Sequence, residues 1–211
     1  MVPLENLAAF VLASVVLIAI PGPSVLFVIG RALALGRVGG LLSVLGNALG
    51  MVPLVAAVAL GVGAIVAESV VLFTIIKFAG AGYLVYLGVH AILHRADAAA
   101  SVDRPASRSL WRQLAEGFVV GVTNPKTIAF FVAVLPQFVD FTAGAIPLQL
   151  FELGVIFVVL ALLCDSVWAL AASGARAWFA RSPKRLSHLS ATGGVMMIGL
   201  GGVLALSGNK H

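Results

Sequence analysis

Six apolar runs, each long enough to cross a bilayer, leave this chain little choice of fold. They cover roughly residues 4–30, 39–67, 69–93, 114–139, 148–175 and 189–207. A span needs about 20 consecutive apolar residues, so 211 residues hold six spans joined by short loops. Apolar residues make up 61% of the chain and charged ones 10%, with a mean hydropathy of +1.13. A soluble domain carries about a quarter charged residues, and so few charges here would not cover a water-facing surface. The expected class is an all-α polytopic membrane protein. A soluble enzyme, a secreted disulfide scaffold and a disordered tail are excluded at this level.

Charge placement gives orientation. Ten of the thirteen Lys and Arg residues fall in the stretches after runs one, three and five. These are Arg31 and Arg37; Arg95, Arg104, Arg108 and Arg112; and Arg176, Arg181, Lys184 and Arg185. By the positive-inside rule those loops face the cytoplasm and both termini face outward, in a multi-pass protein of the inner (plasma) membrane. The excess of +5 then reads as topology and contact with anionic lipid rather than nucleic-acid binding. The start of the chain carries Glu5 instead of a basic region, so it does not read as a cleavable signal. Cys164 is the one cysteine, which excludes an intrachain disulfide and a paired-thiol mechanism.

Residues 95–113 mix charges, Ser, Ala and Pro105 and form the expected cytoplasmic linker. It divides the chain into three-span units at 1–94 and 114–211. With three spans each, the second unit enters the membrane from the side opposite to the first, which is the geometry of an inverted repeat. Span one should therefore match span four, and both carry a break: Pro21-Gly22-Pro23 in one, Asn124-Pro125-Lys126 in the other.

Proline lacks the N–H that a helix needs, so Pro21 and Pro23 should free the carbonyls of Leu17 and Ala19, and Pro125 that of Gly121. Such carbonyls persist in a membrane only where protein or a wet cavity supplies donors. Gly22-Pro23 and Asn124-Pro125 also read as new helix starts, a capping residue before a proline at the first helical position. Two half-helix starts aimed at the bilayer centre suit a carboxylate. A proline kink that only shapes packing is the competing reading for either break alone; two at matched positions favour a site.

Buried polar residues fall at the same depth. Lys126 lies ten residues beyond Glu116, roughly 15 Å into a core of about 30 Å. Lys77 and Asn47 sit about as deep in spans three and two, Asn47 between Gly46 and Gly50. A mid-membrane lysine costs roughly 2.5–3.5 kcal/mol and so requires a partner, unless it snorkels to an interface. Asp165, amid Leu162, Leu163, Cys164 and Trp168, suits a proton carrier, an ammonium binder or a structural ion pair with Lys77 or Lys126. The candidate substrate-binding set is Pro21, Gly22, Pro23, Ser24, Asn47, Lys77, Asn124, Pro125 and Lys126, with Asp165 as the proton-coupling residue. His90, His94, His188 and His211 show no metal-ligand spacing, and no nucleotide motif or catalytic set is present, so no cofactor is expected.

Together these residues resemble the LysE/RhtB family of amino-acid exporters. The matching segments are Pro21-Gly22-Pro23, the stretch from Lys77 to Gly88 (KFAGAGYLVYLG), Asn124-Pro125-Lys126, Pro136-Gln137-Phe138, Asp165 and the glycine-rich last span. The resemblance covers essentially the whole chain. It implies six spans and export of amino acids or close analogues, coupled to the proton gradient rather than to ATP, by a protein that is not an enzyme. Histidine-poor loops and the single cysteine set the chain apart from nickel-transporting and thiol-reducing relatives. A cation or metal permease is the alternative reading, which buried Lys77 and Lys126 oppose by repelling cations. The expected partners are the amino-acid substrate, membrane lipid and, through glycine stripes, a second copy of the chain.

Overall fold

A computed structural model describes residues 2–62, 70–95, 109–175, 182 and 184–206. The described chain is helical throughout. Helix α1 (Leu4–Ala19) ends at the first proline break, and α2 (Pro23–Ala57) restarts three residues after its end. Helix α2 continues through a wide π-type turn at Val58–Val62. Helices α3 (Val70–Leu93) and α4 (Leu110–Val122) follow. After the second break come the short α5 (Pro125–Ala129), a π-type segment (Phe130–Val134) and a 3-10 turn (Leu135–Phe138). Helices α6 (Ile146–Gly174) and α7 (Lys184–Leu206) complete the chain. Among the described residues, three helical stretches are long and apolar enough to cross a membrane: Pro23–Gly61, Leu110–Phe138 and Ile146–Gly174. Most of the 95–113 linker lies outside the described residues.

The stretch from Arg31 to Arg37 differs from the loop its composition suggests. The helix runs on past Arg31 and turns at a single residue, Gly36, whose φ of 74° and ψ of −164° belong to a region open only to glycine. The long helix α2 is thus two helices meeting at a one-residue corner, because one glycine supplies a change of direction that any other residue would resist.

Glycine also sets the helix packing. Cβ atoms placed on Gly46 and Gly50 of α2 would lie 2.2 Å from the carbonyl oxygens of Leu114 and Phe118 on α4. One placed on Gly121 would lie 2.2 Å from that of Asn47. The backbones touch, and the matched steps of four residues make these two helices parallel. Helix α6 packs against α2 in the opposite sense, with Gly40 against Ala169 and Gly154 against Val55. Helix α3 pairs with α7, where Gly88 and Gly194 each face the other's carbonyl and Gly201 faces that of Ala81, so this pair is antiparallel. These glycines are used within the chain, whereas Gly82, Gly199 and Gly202 have nothing within 4 Å of an added methyl.

The main core gathers Phe10, Leu17, Phe130, Phe131, Leu150 and Phe157 from α1, the second break region and α6. Many large apolar side chains remain exposed, including Leu45, Leu49, Val159, Leu163 and Val167, as a lipid-facing surface requires.

The Gly121 contact yields a test. Alanine ordinarily favours a helix by about 1 kcal/mol over glycine. At Gly121, however, the added methyl meets backbone, and overpacking costs typically 1–3 kcal/mol. Gly121→Ala should lower the unfolding temperature in detergent, whereas Gly82→Ala, with nothing within 4 Å of its new methyl, should not.

Candidate functional site

The two breaks meet. Pro21 cannot donate to the carbonyl of Leu17, and the side chain of Lys126 takes the place of the missing N–H. Its ammonium Nζ donates to Leu17 O at 3.0 Å and to Ile20 O at 2.9 Å. Leu17 is thus one of the carbonyls expected to be freed; Ile20, rather than Ala19, is the second that Lys126 reaches. Gly22 leaves the crossing unhindered, since a Cβ there would stand 3.3 Å from Lys126 Cδ, Cε and Nζ, closer than an ordinary contact.

Asn124 ties the breaks from the other direction. Its Oδ1 accepts from Lys126 N at 3.2 Å and caps α5, while its Nδ2 donates to Ser24 Oγ at 3.0 Å. Pro23 and Pro125 stand in the first turns of the helices they open, where a missing N–H costs nothing. The carbonyl of Gly121, left without its usual donor by Pro125, accepts from Asn124 N at 3.4 Å. Ser24, Asn124 and Lys126 are all buried.

Asp165, on α6, is also buried, and its Oδ2 accepts from Asn47 Nδ2 of α2 at 3.0 Å. Asn47 Oδ1 is buried with no hydrogen-bond partner. Ser24, Lys126, Thr127 and Asp165 share a cavity with Ile18, Val25, Met51, Phe157 and Ala161. Its volume is about 10 Å³, room for a single water molecule. Among the described residues the ion pairs are Arg31–Glu116 and Arg112–Glu116, so Lys126 and Asp165 face one cavity without a direct bridge.

Of the sequence candidates, Pro21, Gly22, Pro23, Ser24, Asn124, Pro125 and Lys126 therefore form one cluster. Asp165 joins them across the cavity, and Asn47 stands behind Asp165. Lys77 lies on α3, and its side chain is outside the described residues. Sequence reading missed Thr127 and the apolar wall. Thr127 had the signal of following Lys126 directly, whereas Ile18, Met51, Phe157 and Ala161 look like any other span residues until the helices are packed.

The chemistry of the cluster is that of a small polar site in an apolar shell. A carboxylate has the Lys126 ammonium and the hydroxyls of Ser24 and Thr127 nearby, and an ammonium has Asp165. The carbonyls of Leu17 and Ile20 are already taken by Lys126.

Lys126→Met should therefore weaken the fold as well as the site. The Ile20 carbonyl would lose the donor that Lys126 supplies, and that of Leu17 would keep only Ile20 N at 3.2 Å; a buried unsatisfied group costs about 1–3 kcal/mol. Thermal unfolding in detergent should show a clear loss, and Gly22→Leu, which blocks the path of the side chain, should reproduce much of it.

The sequence profile described as "LysE type translocator" matches residues 15–208. An uncharacterized membrane protein of Vibrio cholerae serotype O1 is 34% identical, covering 93% of this chain and 95% of its own length. The membrane protein YrhP of Bacillus subtilis is 29% identical, over 94% of this chain and 97% of its own. A leucine efflux protein of Klebsiella pneumoniae is 32% identical, over 77% of this chain and 73% of its own. No solved structure matches. The paired breaks thus belong to a membrane transporter and not to an enzyme, and the chain is a member of the LysE-type translocator family.

Proposed function

We propose that the protein exports a neutral amino acid with an apolar side chain from the cytoplasm, in exchange for protons and by alternating access. The observation that carries this reading is the shared cavity of Lys126 and Asp165. One cationic and one anionic side chain, unbridged, complement a zwitterion. The remaining wall of Ile18, Val25, Met51, Phe157 and Ala161 offers no partner for a charged side chain. The name of the Klebsiella pneumoniae relative, a leucine efflux protein, agrees with that choice.

Six spans in two inverted three-helix repeats are part of the proposal, with both termini outside the inner membrane. The broken α1–α2 segment corresponds to α4–α5, the second half of α2 to α6, and α3 to α7. Support comes from the reciprocal contact of Gly88 and Gly194, where each is flanked by the residue four beyond the other, Ile198 and Ile92. The parallel run of α2 and α4 and the antiparallel run of α3 and α7 fit the same scheme. A site with room for one water must widen before an amino acid enters, so the two breaks separate on one side at a time.

Asp165 is the proton-coupling residue in this reading. Asn47, a neutral partner, donates to the carboxylate and presents an unpaired Oδ1 that can accept from the carboxylic acid after the amide rotates.

Preloaded vesicles test this. Leucine, isoleucine, valine and methionine should leave faster than lysine or glutamate, and a preference for charged amino acids would refute the assigned class. Lys126→Met should abolish export. Asp165→Asn should remove the dependence of flux on an imposed pH gradient, and unchanged gradient-driven flux in that variant would exclude Asp165 as the proton site.

A further inference from the structure

Arg31 and Glu116 belong neither to the cavity wall nor to the helix breaks, yet they join the two elements that the breaks define. Arg31 lies seven residues beyond Ser24 on the half-helix leaving the first break, and Glu116 eight residues before Asn124 on the helix entering the second. At 1.5 Å per residue both stand roughly 10–12 Å from the site, on the same side of it.

Arg31 Nη2 donates to Glu116 Oε2, and Arg112 Nε donates to Glu116 Oε1 at 3.0 Å. The Arg31 guanidinium also lies over the Phe27 ring, 5.1 Å from its centre. The side chain of Arg31 is 16% exposed and that of Glu116 29%, against 70% for Arg112, so the first bridge is the sheltered one. Arg31 Nη1 is buried and has no acceptor. Water would satisfy that donor if the helices parted, so closure leaves a cost that opening removes.

The opposite side of the site is sealed differently. Phe10 of α1 lies 5.4 Å from Phe138 and 6.1 Å from Phe130, and Phe157 lies 5.2 and 4.9 Å from Phe130 and Phe131. Asn6 Nδ2 adds a hydrogen bond to Phe138 O at 3.1 Å. One face of the cavity is held by aromatic packing and the other by an ion pair with one donor unmet.

We infer that Arg31 and Glu116 are a transport-determining pair: their bridge latches the cytoplasmic entrance, and its rupture admits the substrate to the cavity between the breaks. The inference rests on the export reading and on the orientation proposed with it. Part of the pairing energy is offset by the unmet donor, which sets a latch that holds without being permanent.

The test places one thiol in the cavity, Ala161→Cys with Cys164→Ser, in the full chain in membrane vesicles. A membrane-impermeant maleimide is applied from each side in turn. Arg31→Gln and Glu116→Gln should each raise labelling from the cytoplasmic side by about tenfold, the factor expected for losing a partly sheltered pair. Labelling from the outer side should not rise. The double variant should match either single one, because the pair acts as a unit, and Arg31→Lys should stay near the starting rate. Unchanged labelling in both single variants, additive effects in the double, or an equal rise from both sides would overturn the latch.

A second measurement covers the case in which the glutamine variants fold poorly. Joining Arg31→Cys to Glu116→Cys with a short bifunctional thiol reagent should stop export, and cleaving the link should restore it. Export that continues with the link in place would overturn the inference. Absence of amino-acid export from the unsubstituted protein would instead refute the transport reading itself, so the two failures are distinguishable.

Discussion

Two backbone carbonyls at a proline break, gripped by one lysine, hold the centre of this protein together. Leu17 and Ile20 lie at the end of α1, just before a proline that has no hydrogen to give, and Lys126 reaches across from the other half of the chain to supply it. In water such groups would solvate themselves. Within a bilayer alternatives are few, Leu17 having only Ile20 N besides the lysine, so an interaction of ordinary strength becomes decisive because the cost of leaving it unmade is large. The same exchange disposes of the buried lysine. Its charge, expensive when buried, is met by two carbonyl dipoles and shares a cavity with a carboxylate. Helix break and buried cation are each costly alone and mutually satisfied together.

Around that centre the protein separates rigid contacts from loose ones. The half of α2 beyond Gly36 touches α4 backbone to backbone along Gly46, Gly50, Gly117 and Gly121, and α3 and α7 do so at Gly88 and Gly194. Close backbone contact of this kind has little freedom to slide. The cavity, by contrast, is bordered by side chains from several elements, among them Met51, Phe157 and Thr127, whose rearrangement leaves the glycine contacts whole. A transporter needs such a division, with stiff units that move as bodies and a deformable seam between them.

Much of this was legible in the sequence because membranes penalise the unusual. Prolines at 21, 23 and 125, a lysine at 126 and an aspartate at 165 stand out against apolar neighbours, and each marked a place where the fold had to respond. The one-residue corner at Gly36 was not legible. It sits among Arg31, Arg37 and several glycines, where composition suggests a loop and only the backbone angles reveal continuous helix on both sides. Glu116 gave no signal in the sequence, because its depth alone is unremarkable. Its bond to Arg31 joins residues 85 apart, a relation set by how α2 and α4 pack and invisible to spacing. The apolar lining escaped for a similar reason, since Ile18 and Ala161 differ from lipid-facing neighbours only in which way the packed helix turns them.

The bond between Lys126 and the end of α1 spans 106 residues, and this has a bearing on how the protein is made. While a ribosome delivers the first three helices to the membrane, the gap at Pro21 lacks the ammonium that bridges it, because residue 126 has not yet been synthesised. The early intermediate must hold that gap against water or translocon surfaces and close it only when the later segment arrives. The amino-terminal part of the protein is therefore left unfinished by its own sequence until the segment that carries Lys126 arrives.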